Sequence, residues 1–201
     1  YKFLGMETYP SNLYDWRLIP ETALATATNG KVFVDNLGKF TEIRNKLSEY
    51  FPEDIRLNKI ATRCMKIAQS GQYNFSRCMK RNETVAARMA ETEFIDEAVH
   101  MIYLLNREYK PFYKWFHRRL KELPILGEET YAMIGKIVKF SFDETYRKVE
   151  IIEKICANII TEMKRQRVIE VIKSDFLLDY GPEIQASIKD EKLRNWSPWL
   201  D

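Results

Sequence analysis

"RLNKIATRCMKIAQSGQYNFSRCMKR", residues 56–81, decides the fold. At about 100° per residue, Leu57, Ile60, Ala61, Cys64, Met65, Ile67, Ala68, Phe75, Cys78 and Met79 gather on one side of a wheel. Arg56, Lys59, Arg63, Lys66, Arg77, Lys80 and Arg81 gather on the other. A partition with this period is that of an amphipathic α-helix. Gly71 falls in the middle of the apolar side, where glycine costs a helix interior about 1 kcal/mol relative to alanine. It permits either the close approach of another helix or a kink. The wheel keeps its phase through Phe75 and Met79, which favours close approach. The basic stripe also has two readings: a solvated face, or a surface for phosphate or RNA on which Tyr73 could stack a base.

The same rhythm runs outward in both directions. Candidate helices cover 38–50, 53–80, 83–109, 112–123, 128–141, 143–172 and 182–194, with Pro52, Pro111, Pro124 and Pro182 near their starts or in the breaks. Seven glycines and seven prolines in 201 residues suit a mainly α helical bundle. At most a short strand or hairpin is expected near residues 24–35. There "PETALATATNGKVFVD" (20–35) allows a helix from Pro20 stopped at Asn29-Gly30 and followed by a strand at 31–34. It also allows a hairpin turning at Asn29-Gly30; the helix-like start at "PETALA" favours the first. Residues 1–20 read as a lead-in or linker with aromatic anchors Tyr9, Tyr14 and Trp16, and 21–201 as a single helical domain. The final "NWSPWLD" reads as a tail docked by Trp196 and Trp199.

Composition bounds the function. The chain is 45% hydrophobic, enough for one sizeable core. It is 30% charged with a net charge of +3, which is no nucleic-acid signature by itself. Cys64, Cys78 and Cys156 lack CxxC spacing and read as reduced thiols of a cytoplasmic protein rather than a disulfide or zinc framework. No apolar run reaches the roughly 18 residues of a membrane span, and no signal peptide is expected. The start at Tyr1 reads as a fragment of something longer.

Two segments carry candidate chemistry. On 83–109, Glu93, Glu97 and His100 border a core face of Phe94, Ile95, Ala98, Met101, Ile102 and Leu105. Glu97 to His100 has the Glu-x-x-His spacing of di-iron bundles, but such a site wants a second copy and two more glutamates. The competing reading pairs Glu93 or Glu97 with a basic residue of the preceding helix. In "LNREYKPFYKWFHRRLKEL" (105–123) cations and rings interleave. That suits nucleotide or RNA contact, or equally an aromatic core with snorkelling cations. A glycine-rich phosphate loop, GxSxG, HExxH and Asp-x-Asp are all absent from the sequence.

"DWRLIPETAL", "NGKVFVDNLGKFTEIRNKLSEYFPEDI", "KIAQSGQYNFSRCMKR" and "EFIDEAVHMIYLLNREYKPFYKWFHRRLKEL" together resemble the bacterial domain-of-unknown-function family 4037, over about residues 14–125. The resemblance implies a helical domain that follows a nucleotidyltransferase-like domain. The implied function is a C-terminal accessory or substrate-binding domain, not catalytic alone. Mg²⁺ and nucleoside triphosphate would belong to the N-terminal partner domain, and no cofactor to this chain. The acceptor would be an unidentified small molecule or RNA. Among the positions that match the family's pattern, Gln69, Tyr73, Arg77, Glu93, Arg107 and Lys114 are the expected substrate-binding residues. A separate RNA- or nucleotide-binding module, or a purely structural interaction domain, are the alternatives.

Overall fold

The stretch 53–80 is one continuous helical rod in three registers: α4 (Glu53–Ile67), a π-helical segment (Ala68–Phe75) and α5 (Ser76–Lys80). The computed structural model describes residues 9–201; the lead-in reading of residues 1–8 lies outside them. Gly71 sits in the π-helical segment and is buried. A Cβ there would lie 2.2 Å from Phe94 Cδ2 and 3.0 Å from Ile152 Cγ2. The glycine thus lets α6 (Thr84–Leu105) and α9 (Thr145–Arg165) close on the rod. The space a side chain would fill is occupied by the fully buried Phe94 ring, whose burial stabilises by about 1.5–3 kcal/mol. Gln72 ties the same segment down. Its Nε2 donates to Glu153 Oε2 and to the Asp175 carbonyl, and its Oε1 accepts from the Leu177 amide.

A tight turn at Arg81–Glu83 reverses the chain, so α6 runs antiparallel to the rod, and α8 (Gly127–Lys139) and α9 complete the main core. α7 (Tyr113–Leu120) crosses between α6 and α8. Inside the main core Lys148 Nζ meets Glu91 Oε2 at 2.6 Å, with both side chains almost wholly removed from water. A smaller second core gathers Trp16, Leu24, Leu47, Tyr50, Phe51, Ile55, Tyr109, Ile188 and Leu193. It joins α1 (Leu13–Leu18), α2 (Glu21–Thr28) and α3 (Lys39–Ser48) to the start of α4 and to α11 (Glu191–Arg194), while α10 (Gly181–Ala186) packs on α4 and contributes Ile184 to the main core. The fold is mainly α, with no strand among the described residues. No helix among them is long and apolar enough to cross a membrane.

The structure differs from the sequence reading at several places. Residues 13–18, read above as part of a lead-in or linker, form α1, because Asn12 Oδ1 accepts from the amides of Tyr14 and Asp15 and caps the first turn. Trp16 does act as an anchor, packed edge-on against Phe51. The helix from Pro20 forms and stops at Asn29, with Gly30 at φ +69°. The strand expected at 31–34 does not form: the loop has no neighbouring strand to pair with among the described residues, and Arg44 Nη2 holds its base through the Thr28 and Gly30 carbonyls. The helix expected over 83–109 ends at Leu105 and that over 143–172 at Arg165. Each is stopped by an arginine in the left-handed region, Arg107 at φ +55° and Arg167 at φ +59°. The amides of Glu108 and Val168 then fold back onto the carbonyls of Tyr103 and Met163. Arginine in place of the usual glycine leaves no stop signal in the sequence. The helix expected over 182–194 is two short helices, because Asp54 takes the amides of Lys189 and Asp190 between them.

Candidate functional site

The basic stripe of the rod divides. Its second half, Arg77, Lys80 and Arg81, faces water. Its first half holds buried Arg56 and Arg63, so neither a solvated face nor an open anion-binding surface describes it. Arg56 Nε donates to the Leu104 carbonyl and its Nη2 to Gln166 Oε1, closing the C-terminal end of α6 where carbonyls lack helical partners.

Arg63 is the hub of a charge network between α2, α4, α6 and the C-terminal residue. Its Nη1 donates to His100 Nδ1 at 2.6 Å and its Nη2 to Asp201 Oδ1 at 2.8 Å. Its Nε lies 2.5 Å from Glu97 Oε2, a charge contact without hydrogen-bond alignment, since both atoms otherwise lack a hydrogen-bond partner. A guanidinium keeps its protons, so His100 Nδ1 must accept. Nε2 therefore carries the hydrogen and donates to Glu21 Oε2 at 2.7 Å. Lys59 Nζ stands 3.8 Å from Glu21 and 3.5 Å from Asp201, and Lys66 Nζ 3.5 Å from Glu97. Three cations (Lys59, Arg63, Lys66) thus face three carboxylates (Glu21, Glu97, Asp201) around a neutral imidazole. This balance is what buried charge requires.

Protonation follows from the geometry. Burial pushes His100 down to about 4, the Arg63 charge pushes the same way, and the Glu21 carboxylate opposes both. Burial acts to raise Glu21, but His100, Lys59 and the Lys110 amide hold it down to about 2. Burial acts to raise Asp201 too, but Arg63 and Lys59 hold it below the usual carboxylate range. Glu97 is raised by burial, against the pull of Arg63 and Lys66. Both nitrogens of His100 are engaged, as are both oxygens of Glu21. The cluster is therefore a clamp, with no free lone pair for proton transfer or metal ligation at the histidine. The reading that paired Glu93 or Glu97 with the preceding helix holds for Glu97. No group of three or more His, Cys, Asp or Glu side chains that could hold a metal occurs among the described residues.

What the clamp positions lies beside it. Glu21, the first residue of α2, accepts the Lys110 backbone N–H at 2.8 Å. Lys110 Nζ grips both oxygens of Asp96 at 2.7 Å. Pro111 follows, and α7 starts two residues later. The segment leading into α7 is thus bolted to α2, and a hollow of about 350 Å³ remains between the two helices. Phe112, Trp115 and Arg119 form one wall, and Ala25, Thr26 and Asn29 the other. Phe112 is 50% and Trp115 54% exposed. The side chains of Lys114, Arg118 and Arg119 form no hydrogen bond or ion pair with any described residue. The two readings of 105–123 therefore divide by residue: Tyr109 and Leu120 are core, while Phe112, Tyr113 and Trp115 are open to solvent. A larger, more apolar hollow of about 680 Å³ lies among Ile95, Phe116, Tyr131 and Ile134, where His117 stacks on Tyr131.

Of the six expected substrate-binding residues, the structure brings together Tyr73 and Arg77, the guanidinium 4.5 Å over the ring. Gln69 and Glu93 are exposed on the π-helical segment and α6. Arg107 donates to Glu53 Oε2 at 2.8 Å beyond the far end of α6. Lys114 is exposed on α7 and is not among the residues that line the hollow. The 22 residues of α6 span about 33 Å at the helical rise, and Arg77 and Arg107 lie at its opposite ends. The six are spread along this length and do not converge on one small ligand. The clamp residues Glu21 and Asp201 carry no sequence signal, because each acts across a large separation in the chain. His100 and Glu97 were visible as a polar border on an apolar helix.

No curated protein and no solved structure matches the chain. Residues 16–116 match the family described as Domain of unknown function (DUF4037). The matched span contains Trp16, Glu21, Arg63, Glu97, His100, Lys110 and Trp115, that is, the clamp apart from Asp201 and most of the α7 wall. The match covers slightly more than half of the 201 residues, and the chain belongs to the DUF4037 family.

Proposed function

We propose that this chain is the helical accessory domain of a nucleotidyltransferase-like protein, forming one wall of a cleft whose other wall is the catalytic domain. The observation that carries the reading is an apolar ridge on the loop between α2 and α3. Phe33 is 91% exposed and Leu37 82% exposed, with Val34 and Phe40 beside them in the sequence and also open. A cluster of large apolar side chains in water marks an interaction surface. Arg44 pins the base of this loop, and the loop begins at Asn29, in the rim of the α2–α7 hollow. A domain seated on the ridge would stand over the hollow. In this reading Mg²⁺ and the triphosphate bind to the catalytic domain, and this chain orients the acceptor.

Two measurements test it. Incubated alone with labelled nucleoside triphosphates, Mg²⁺ and candidate acceptors, the chain should transfer no nucleotide; robust transfer would sink the proposal. In the full-length protein, Phe33→Asp with Leu37→Asp should abolish transfer and separate the domains under limited proteolysis, while the melting temperature of the isolated chain stays unchanged. Unaltered transfer by that variant would show that the ridge seats no catalytic domain.

A further inference from the structure

We infer that the hollow between α2 and α7 is a binding site for a nucleotide, its base stacked on Trp115 and Phe112 and its phosphate on Arg119. The site goes beyond the accessory-domain reading and does not depend on it, because every residue it uses belongs to this chain.

Shape, charge and support agree. The volume of about 350 Å³ is at the lower end of small-molecule sites, which suits a single nucleotide. Its α7 wall offers two aromatic rings about half exposed, although burying a tryptophan ring is strongly favourable in a free choice. Base stacking on such a ring is worth about 1–3 kcal/mol and tolerates any base. Arg119 lines the same hollow and is half-buried, and its side chain has no carboxylate or carbonyl partner among the described residues. Buried Arg56, Arg63 and Lys148 are paired with carboxylates, and Arg17, another enclosed guanidinium without a hydrogen-bond partner among the described residues, lies 3.6 Å over the Trp196 ring. Arg119 also presents the fork geometry that phosphate accepts bidentately. Lys114 and Arg118, unpaired on the same helix, add positive charge, and α7 carries no acidic residue. A phosphate meets these requirements, and a neutral aromatic ligand does not. Asn29, on the opposite wall, is exposed and supplies donors and acceptors to a base edge.

The walls are prearranged. The Glu21–Lys110 bond fixes the α7 lead-in against α2, and Glu21 is itself held by His100 and Lys59. A ligand entering here orders little of the protein, which preserves affinity.

The ligand's chemistry has two possible sources, a free mononucleotide or a nucleotide of a single-stranded RNA, and one set of titrations separates them. The purified chain is titrated with AMP, GMP, CMP and UMP, with adenosine, with inorganic phosphate, and with a six-nucleotide single-stranded RNA. Tryptophan fluorescence and calorimetry read the binding. At least one mononucleotide should bind saturably and quench fluorescence, with adenosine about tenfold or more weaker. Trp115→Ala and Arg119→Ala should each weaken that binding about tenfold or more. Trp115→Phe and Arg119→Lys should restore part of it, and Arg77→Ala should change nothing. RNA bound much more tightly than mononucleotides, with a steep salt slope and the same dependence on Trp115 and Arg119, identifies a strand as the source. Equal affinities identify the free nucleotide. No saturable binding of any of them up to about 1 mM, or binding indifferent to both substitutions, overturns the proposal. The result is independent of the transfer assay: binding with no transfer in the full-length protein removes the accessory-domain reading and leaves the site standing.

Discussion

The two halves of the rod at 53–80 both carry arginine and lysine on the polar side of the wheel, and these cations meet opposite fates. In the first half Arg56 and Arg63 are buried, each held by carbonyl or carboxylate groups from segments far along the chain. In the second half Arg77, Lys80 and Arg81 stand in water, and Arg77 covers Tyr73. A helical wheel ranks these residues alike. What separates them is which partners arrive: Glu97 and Asp201 bring counter-charge to Arg63, the neutral His100 of α6 accepts from it and links it to Glu21 of α2, and no carboxylate among the described residues reaches Arg77. A basic stripe is therefore a statement about one helix only, and its meaning is set by the neighbours.

Four experiments probe that contrast, beginning with the largest expected effect. Arg63→Met should cost about 3–5 kcal/mol in urea unfolding, because Glu97 and Asp201 would stay buried without their partner. A loss below about 1 kcal/mol would mean that the network is solvated and the two halves are alike. Gly71→Ala, at the junction of the halves, should cost about 1–3 kcal/mol through overpacking against Phe94. Phe94→Leu in the same chain should recover part of that loss, and a neutral Gly71→Ala would argue against close approach there.

Acidification comes next. The His100 pKa is depressed from 6.5 to about 4, so the unfolded chain takes up the proton first as pH falls. This contribution to stability is intact above about pH 6.5 and is lost as pH falls towards 4. Glu21, lowered from 4.5 to about 2, adds a further loss below pH 4.5. The urea midpoint at pH 5 should therefore sit below that at pH 7 by the equivalent of about 1–2 kcal/mol. His100→Gln should flatten that difference, and an unchanged slope would show that another group titrates. The smallest effect belongs to the exposed half: Lys80→Ala or Arg81→Ala should change stability by less than about 0.5 kcal/mol.

Much of the helical content could be read from periodicity, since apolar spacing and proline positions placed α3, the rod, α6, α7, α8 and α9. The ends were less readable. Arg107 and Arg167 adopt a conformation usually taken by glycine, so the long helices stop without a stop residue in the sequence. Asn12 caps α1 in a stretch too irregular for any period. At the candidate site, the density of rings and cations in 105–123 was visible, but not which rings are buried. Tyr109 lies in the second core with its hydroxyl on the Leu47 carbonyl, while Trp115, six residues later, faces solvent.

By itself the sequence determined the helical class and the apolar faces of the rod and of α6, and it favoured close approach at Gly71. All of these depend on spacing within one element, and an element's geometry is local. The tertiary structure decided which charges are buried, which rings are open and where α7 lies against α2. Those outcomes depend on pairs such as Glu21 with Lys110 and Arg63 with Asp201, separated by 89 and 138 residues. A charge buried in protein is stable only if its partner arrives, and no pattern within a single helix encodes the arrival of a partner from so far away.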